Sequence, residues 1–116
     1  MEYNSKIINE DIFEGNYFGS GDLILSGTFK GTIKIDKLII NENASFIGNI
    51  TAKKIIVEGH IKADIATEKL HILSNGKVEG DLVYKTLKID EGGFLNSSKV
   101  IKMSDQSNLK SKSLKN

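Results

Sequence analysis

The stretch "GKVEGDLVYKTLKIDEGG", residues 76–93, decides how this chain folds. From Lys77 to Leu82 apolar and polar residues alternate, the two-residue period of a half-buried strand. Gly80 interrupts the run, although glycine weakens a strand interior. A second alternating pair, Leu87 and Ile89, follows before the turn-like "DEGG". Alternation sends Val78, Gly80 and Leu82 to one face and Lys77, Glu79 and Asp81 to the other.

The same pattern occurs upstream. It reads "TFKGTIKIDKLIINENA" from Thr28, "SFIGNITAKKIIVEG" from Ser45 and "HIKADIATEKLHILSNG" from His60. The first apolar residue of each unit is Phe29, Phe46, Ile61 or Val78. Two residues on comes a small one, Gly31, Gly48, Ala63 or Gly80, and two further an aliphatic, Ile33, Ile50, Ile65 or Leu82. A fainter copy, "IFEGNYFGSGDLILSG", precedes the set with Phe13, Gly15 and Tyr17 in the same places, and "FLNSS" follows it. The spacing between units is 15 to 17 residues, and the length differences fall in "NENA", "VEG", "SNG" and "DEGG". Turns absorb length changes in repeat proteins because they project from the stack.

Short strands at a fixed period predict a coil with one circuit per unit. At ~3.3 Å per residue a circuit measures roughly 50 Å, enough for a narrow core and no lumen. The expected architecture is an all-β, single-stranded β-helix, triangular in section, with five to six windings over residues 12–98. Phe29, Ile33, Phe46, Ile50, Ile61, Ile65, Val78 and Leu82 should form its core column. Gly15, Gly31, Gly48, Ala63 and Gly80 should sit at a corner, where a missing side chain lets the backbone turn or approach its neighbour. Ordinary turn glycines in a β-sandwich are the alternative.

Composition limits function. The chain has 116 residues, no Cys, no Pro, 11 Gly and a formal net charge of +1. It has no disulfide frame or thiolate metal site, and near-neutrality gives no reason to expect a nucleic-acid partner. No apolar run is long enough to span a bilayer as a helix. Residues 1–11, with only the Ile7-Ile8 pair, read as a flexible segment. The tail from Lys99 to Asn116 has five Lys against one Asp and the composition of a disordered segment.

Catalytic, cofactor and metal sites are all expected to be lacking. His60 and His71 flank inward residues and should face solvent. "FGSGDL", Phe18–Leu23, has no Lys-Ser/Thr after it and makes a poor phosphate loop. The carboxylates lie outward among lysines, as in Lys77/Glu79, Asp81/Lys85 and Lys88/Asp90. Asn49/Asp64/Asp81 is the nearest approach to a cation site. What stands out is the ends. A coil leaves an open core and unpaired backbone at each end unless it is capped. Phe13, Tyr17 and Phe18 at one end, with Phe94 and Leu95 at the other, are the candidate contacts between stacked subunits.

The repeated "GTFKGTIKIDKLIINENASFIGNITAKKIIVEG" and the "VEGDLVY" that precedes "LKIDEGG" resemble the bactofilins, polymer-forming cytoskeletal proteins of bacteria, over roughly residues 12–98. The resemblance implies a right-handed, three-sided β-helix between disordered termini. It also implies nucleotide-free assembly into non-polar filaments through contacts between like ends. The implied partners are further copies of the chain and cell-wall or membrane-associated proteins. The implied place is the cytoplasm, at the inner face of the cell membrane, with an influence on cell shape. "MEYNSKII" lacks the apolar or basic layout of the membrane-targeting peptides of many members. The competing readings are a monomeric solenoid binding module and a fragment like the hexapeptide-repeat acyltransferases, whose strict six-residue period this chain does not keep.

Overall fold

The computed structural model describes residues 5–8, 12–97 and 99–102. Every regular element in them is a strand: β1 (Ser5–Ile8), β2 (Ile12–Phe18), β3 (Asp22–Leu25), β4 (Thr28–Ile40), β5 (Ser45–Val57), β6 (His60–Ile72), β7 (Lys77–Glu79), β8 (Leu82–Tyr84), β9 (Thr86–Ile89), β10 (Phe94–Asn96) and β11 (Val100–Lys102). All pairings are parallel, and the inner strands pair with the chain one circuit before and one circuit after them. The protein is therefore a β-solenoid of about five circuits, not a sandwich.

Three ladders run along it. On the first side Phe13, Phe29, Phe46, Ile61, Val78 and Leu95 are in register. On the second, Tyr17, Ile33, Ile50, Ile65, Leu82 and Val100 follow one another. On the third, Leu23, Leu38, Ile55, Leu70 and Leu87 stack beside Leu25, Ile40, Val57, Ile72 and Ile89. Asp36, Lys53 and Glu68 fall outside the register and mark the bend between the second and third sides. β-branched and aromatic residues suit such ladders because they pack on a pleated surface against their own kind.

The core is apolar and continuous. Phe29, Ile33, Phe46, Ile50, Ile61, Ile65, Val78 and Leu82 are all buried in one cluster. Phe13 stacks on Phe29 at 4.8 Å between ring centroids and Phe29 on Phe46 at 5.3 Å. Fully burying side chains of this size contributes roughly 1.5–3 kcal/mol each. The single buried polar side chain among the described residues, Thr67, donates its hydroxyl to the Lys69 carbonyl at 3.1 Å.

The repeated glycines have two physical causes. Gly31 and Gly48 hold φ of +139° and +138°, a region that L side chains rarely adopt. A Cβ on either would also overlap the carbonyl of the small residue one circuit earlier, Gly15 for Gly31 and Gly31 for Gly48. The side chain is excluded along the coil axis by backbone rather than by a crowded interior. Ala63 has no positive φ and is buried, so the bend there is made without the left-handed conformation.

Most of the length variation falls at one corner. Between the third and first sides the chain spends four residues at Asn41–Ala44, 73–76 and 90–93, but two at 26–27 and Glu58–Gly59. The longer turns close with Ala44 N–H donating to the Asn41 carbonyl, Gly76 to Leu73 and Gly93 to Asp90, at 2.8–2.9 Å.

Two placements differ from the sequence reading. Ser5–Ile8, put in the flexible N-terminal segment, pairs with β3, Ser5 beside Asp22 through Ile8 beside Leu25. Val100–Lys102, put in the tail, pairs with β8. Both are short runs that lie outside the repeat units recognised in the sequence. The rest of the two terminal segments lies outside the described residues.

Candidate functional site: the two mouths of the coil

Each end exposes core. At the N-terminal mouth Phe13 and Tyr17 cap the first two core columns with no circuit above them, and both are only partly buried. Among the described residues β2 pairs with β4 alone, and no described strand covers its other edge on either side. At the C-terminal mouth Leu87 and Leu95 are partly buried, while Ile89 and Val100, which continue inward columns, are 43% and 45% exposed. Among the described residues β9 pairs with β6 alone.

The five residues singled out from the sequence divide into two sets. Phe13 and Tyr17 lie at one mouth and Leu95 at the other. Phe18 and Phe94 stand on outer walls of the terminal circuits, in register with Lys34 and Lys77. Phe18 is 65% exposed, and the Lys77 ammonium sits 5.6 Å from the centroid of the Phe94 ring. Ile12, Ile89, Val100 and Ile101 were missed. Ile89 was visible as the seventeenth residue after Ile72, and Val100 by extending the second-side column past Leu82.

The ends are also stepped. β1 adds a tier on the third side at the N-terminal end. β10 and β11 add a tier on the first and second sides at the C-terminal end and leave β9 as the open edge.

The outer walls carry polar pairs. His60 is exposed. His71, half-buried, places Nε2 2.9 Å from Oδ1 of Asp90 in the next circuit, a partner the sequence reading gave to Lys88. Lys77 Nζ and Glu79 Oε2 are 3.7 Å apart. Asn49 and Asp64 are neighbours on the second outer wall. Among the described residues no group of three His, Cys, Asp or Glu could hold a metal ion. In "FGSGDL", Gly19 N–H donates to the Lys34 carbonyl at 3.0 Å and Gly21 N–H to Asp36 Oδ2 at 2.9 Å. Those amides tie the loop to the next circuit. No described helix is long and apolar enough to cross a membrane.

Comparison with known proteins gives the coil a family. The pattern of the bactofilins, described as polymer-forming cytoskeletal, matches residues 5–99. The chain belongs to the bactofilin family. Its fold is similar to that of the Thermus thermophilus bactofilin seen by cryo-EM in double helical filaments. The two share 16% sequence identity and a TM-score of 0.77, over 85% of this chain and 99% of that one. No curated protein matches the chain significantly. The bactofilin match begins at residue 5 and so includes β1.

Proposed function

We propose that this protein is a structural element that assembles end to end into filaments without nucleotide and without polarity. The observation that carries the reading is the pair of mouths, each presenting core side chains and strand edges that no other described strand pairs. Contacts between open ends that do not close on themselves generate filaments. The polymer-forming description of the family and the filaments of the Thermus relative support it. In this reading the filament is a cytoplasmic scaffold that positions cell-wall or membrane-associated proteins and influences cell shape, and it catalyses nothing.

A second reading concerns polarity, and the stepped ends favour it. Head-to-tail stacking would set β1 of one copy beside β9 of the next and complete a circuit between them. Negative-stain imaging of the untagged protein without nucleotide tests both. Filaments support assembly, and monodisperse particles at all concentrations overturn it. Two-fold axes normal to the filament support joining of like ends, and their absence supports the head-to-tail arrangement.

A further inference from the structure

We infer that the second outer wall, with the bend that borders it, is a lateral contact between two antiparallel copies of this chain. The bend column points to it. Asp36, Lys53, Glu68 and Lys85 occupy that column on successive circuits and alternate in sign. Lys53 Nζ lies 4.0 Å from Asp36 Oδ1, and Lys85 N–H donates to the Glu68 carbonyl. Lys53 and Glu68 are bracketed by the Ala52–Thr67 and Lys54–Lys69 pairs. Stacking the coil does not require such alternation. One residue further on, Lys37, Lys54 and Lys69 are in register, although like charges on adjacent strands repel.

A two-fold rotation about the strand direction, centred between β5 and β6, reverses the order of the circuits. A column that reads minus, plus, minus, plus then meets plus, minus, plus, minus. Asp36 faces Lys85 of the other copy and Lys53 faces its Glu68, and symmetry makes each contact twice. Every position of the column meets the opposite charge, the arrangement that fixes register between partners. The lysine row lies around the bend, on a wall that turns away from the contact.

The neighbouring outward column obeys the same operation. It runs Phe18, Lys34, Thr51, Ala66, Val83 and Ile101. Phe18 and Ile101, 65% and 44% exposed, face each other at both ends of the wall. Between them Thr51, Ala52, Ala66 and Thr67 line a shallow hollow, small side chains that let a facing wall come close. One column further, Asn49 faces Asp64. The other walls match less well. On the third the rotation sets Lys54 against Lys69, and on the first it pairs Lys30 with Glu79 but leaves Lys62 opposite Ile47 and Lys77 opposite Thr28. The patch measures roughly 24 Å by 13 Å, the scale of a transient contact rather than a permanent dimer.

Chemical cross-linking of the full chain tests the arrangement, because the protein has no Cys and an introduced thiol is unique. Lys34→Cys protein mixed with Val83→Cys protein and a short bismaleimide is expected to give a covalent dimer. Neither variant alone is expected to do so, since the rotation sets like positions ~14 Å apart along the coil. Lys53→Glu in both partners sets a glutamate against Glu68 and should lower the yield about ten-fold. Lys53→Glu in one partner with Glu68→Lys in the other renews all four opposite-sign contacts and should restore it, an effect that no change within one copy can produce. Joining ends, like or unlike, keeps positions 34 and 83 ~14 Å apart or more. The result is therefore read independently of end-to-end assembly, and Phe94→Arg protein should cross-link equally. A dimer from either cysteine variant alone, no dimer from the mixture, or a yield unchanged by Lys53→Glu with native circular dichroism overturns the inference.

Discussion

The carbonyl oxygen of Gly31 occupies the position that a Cβ on Gly48 would need. The contact is backbone against side chain along the coil axis, so no rotamer change relieves it. Gly48→Ala should cost several kcal/mol, the sum of a left-handed φ, worth roughly 1–2 kcal/mol, and an overlap that forces two circuits apart. Gly15 shares the φ, at +143°, but a Cβ there meets only the Phe13 ring at 3.8 Å. Gly15→Ala should therefore cost only about 1–2 kcal/mol. Urea denaturation of the two variants checks the difference, and equal midpoints would remove the axial explanation.

Val78 lies at 1% exposure in the first-side column. A carboxylate there would be buried without a partner, costing several kcal/mol against a total stability of ~5–15. Val78→Asp should abolish cooperative thermal unfolding in circular dichroism. A parental melting temperature would contradict its place in the core.

Phe94 is 47% exposed on the last described first-side strand. Phe94→Arg should leave the β spectrum and the melting temperature within about 0.5 kcal/mol of parental stability. Electron microscopy should show particles in place of filaments. Continued filament growth would move the contact to the other mouth or to the inward residues Leu95 and Val100.

The His71–Asp90 pair joins two circuits but is about one-third exposed at both partners. Exposed ion pairs contribute ~0–1 kcal/mol. His71→Ala should lower the denaturation midpoint by no more than that, and a larger loss would show that the last circuits depend on this one bond.

Much of the fold was legible because the repeat carries it. Phe29, Phe46, Ile61 and Val78 share position and neighbours, and only a coil brings such residues together. The glycine period was equally visible, but its cause was not. The sequence shows that Gly48 is small, not that its φ is +138° or that Gly31 reaches toward it. Ser5–Ile8 and Val100–Lys102 escaped notice because a lone apolar pair has no repeat to support it. At the mouths, aromatic character suggested Phe18 and Phe94. Strand parity, which depends on register, turns both to the outer walls and leaves Ile89 and Val100 facing the open core.

The first-side column also changes thickness along its length. Three rings, Phe13, Phe29 and Phe46, fill one half, and the slimmer Ile61, Val78 and Leu95 fill the other. The column is thus aromatic toward one mouth and aliphatic toward the other. Mating like ends would alternate aromatic and aliphatic joints along the polymer, with a repeat of two subunits. Mating unlike ends would give one kind of joint, identical at every step.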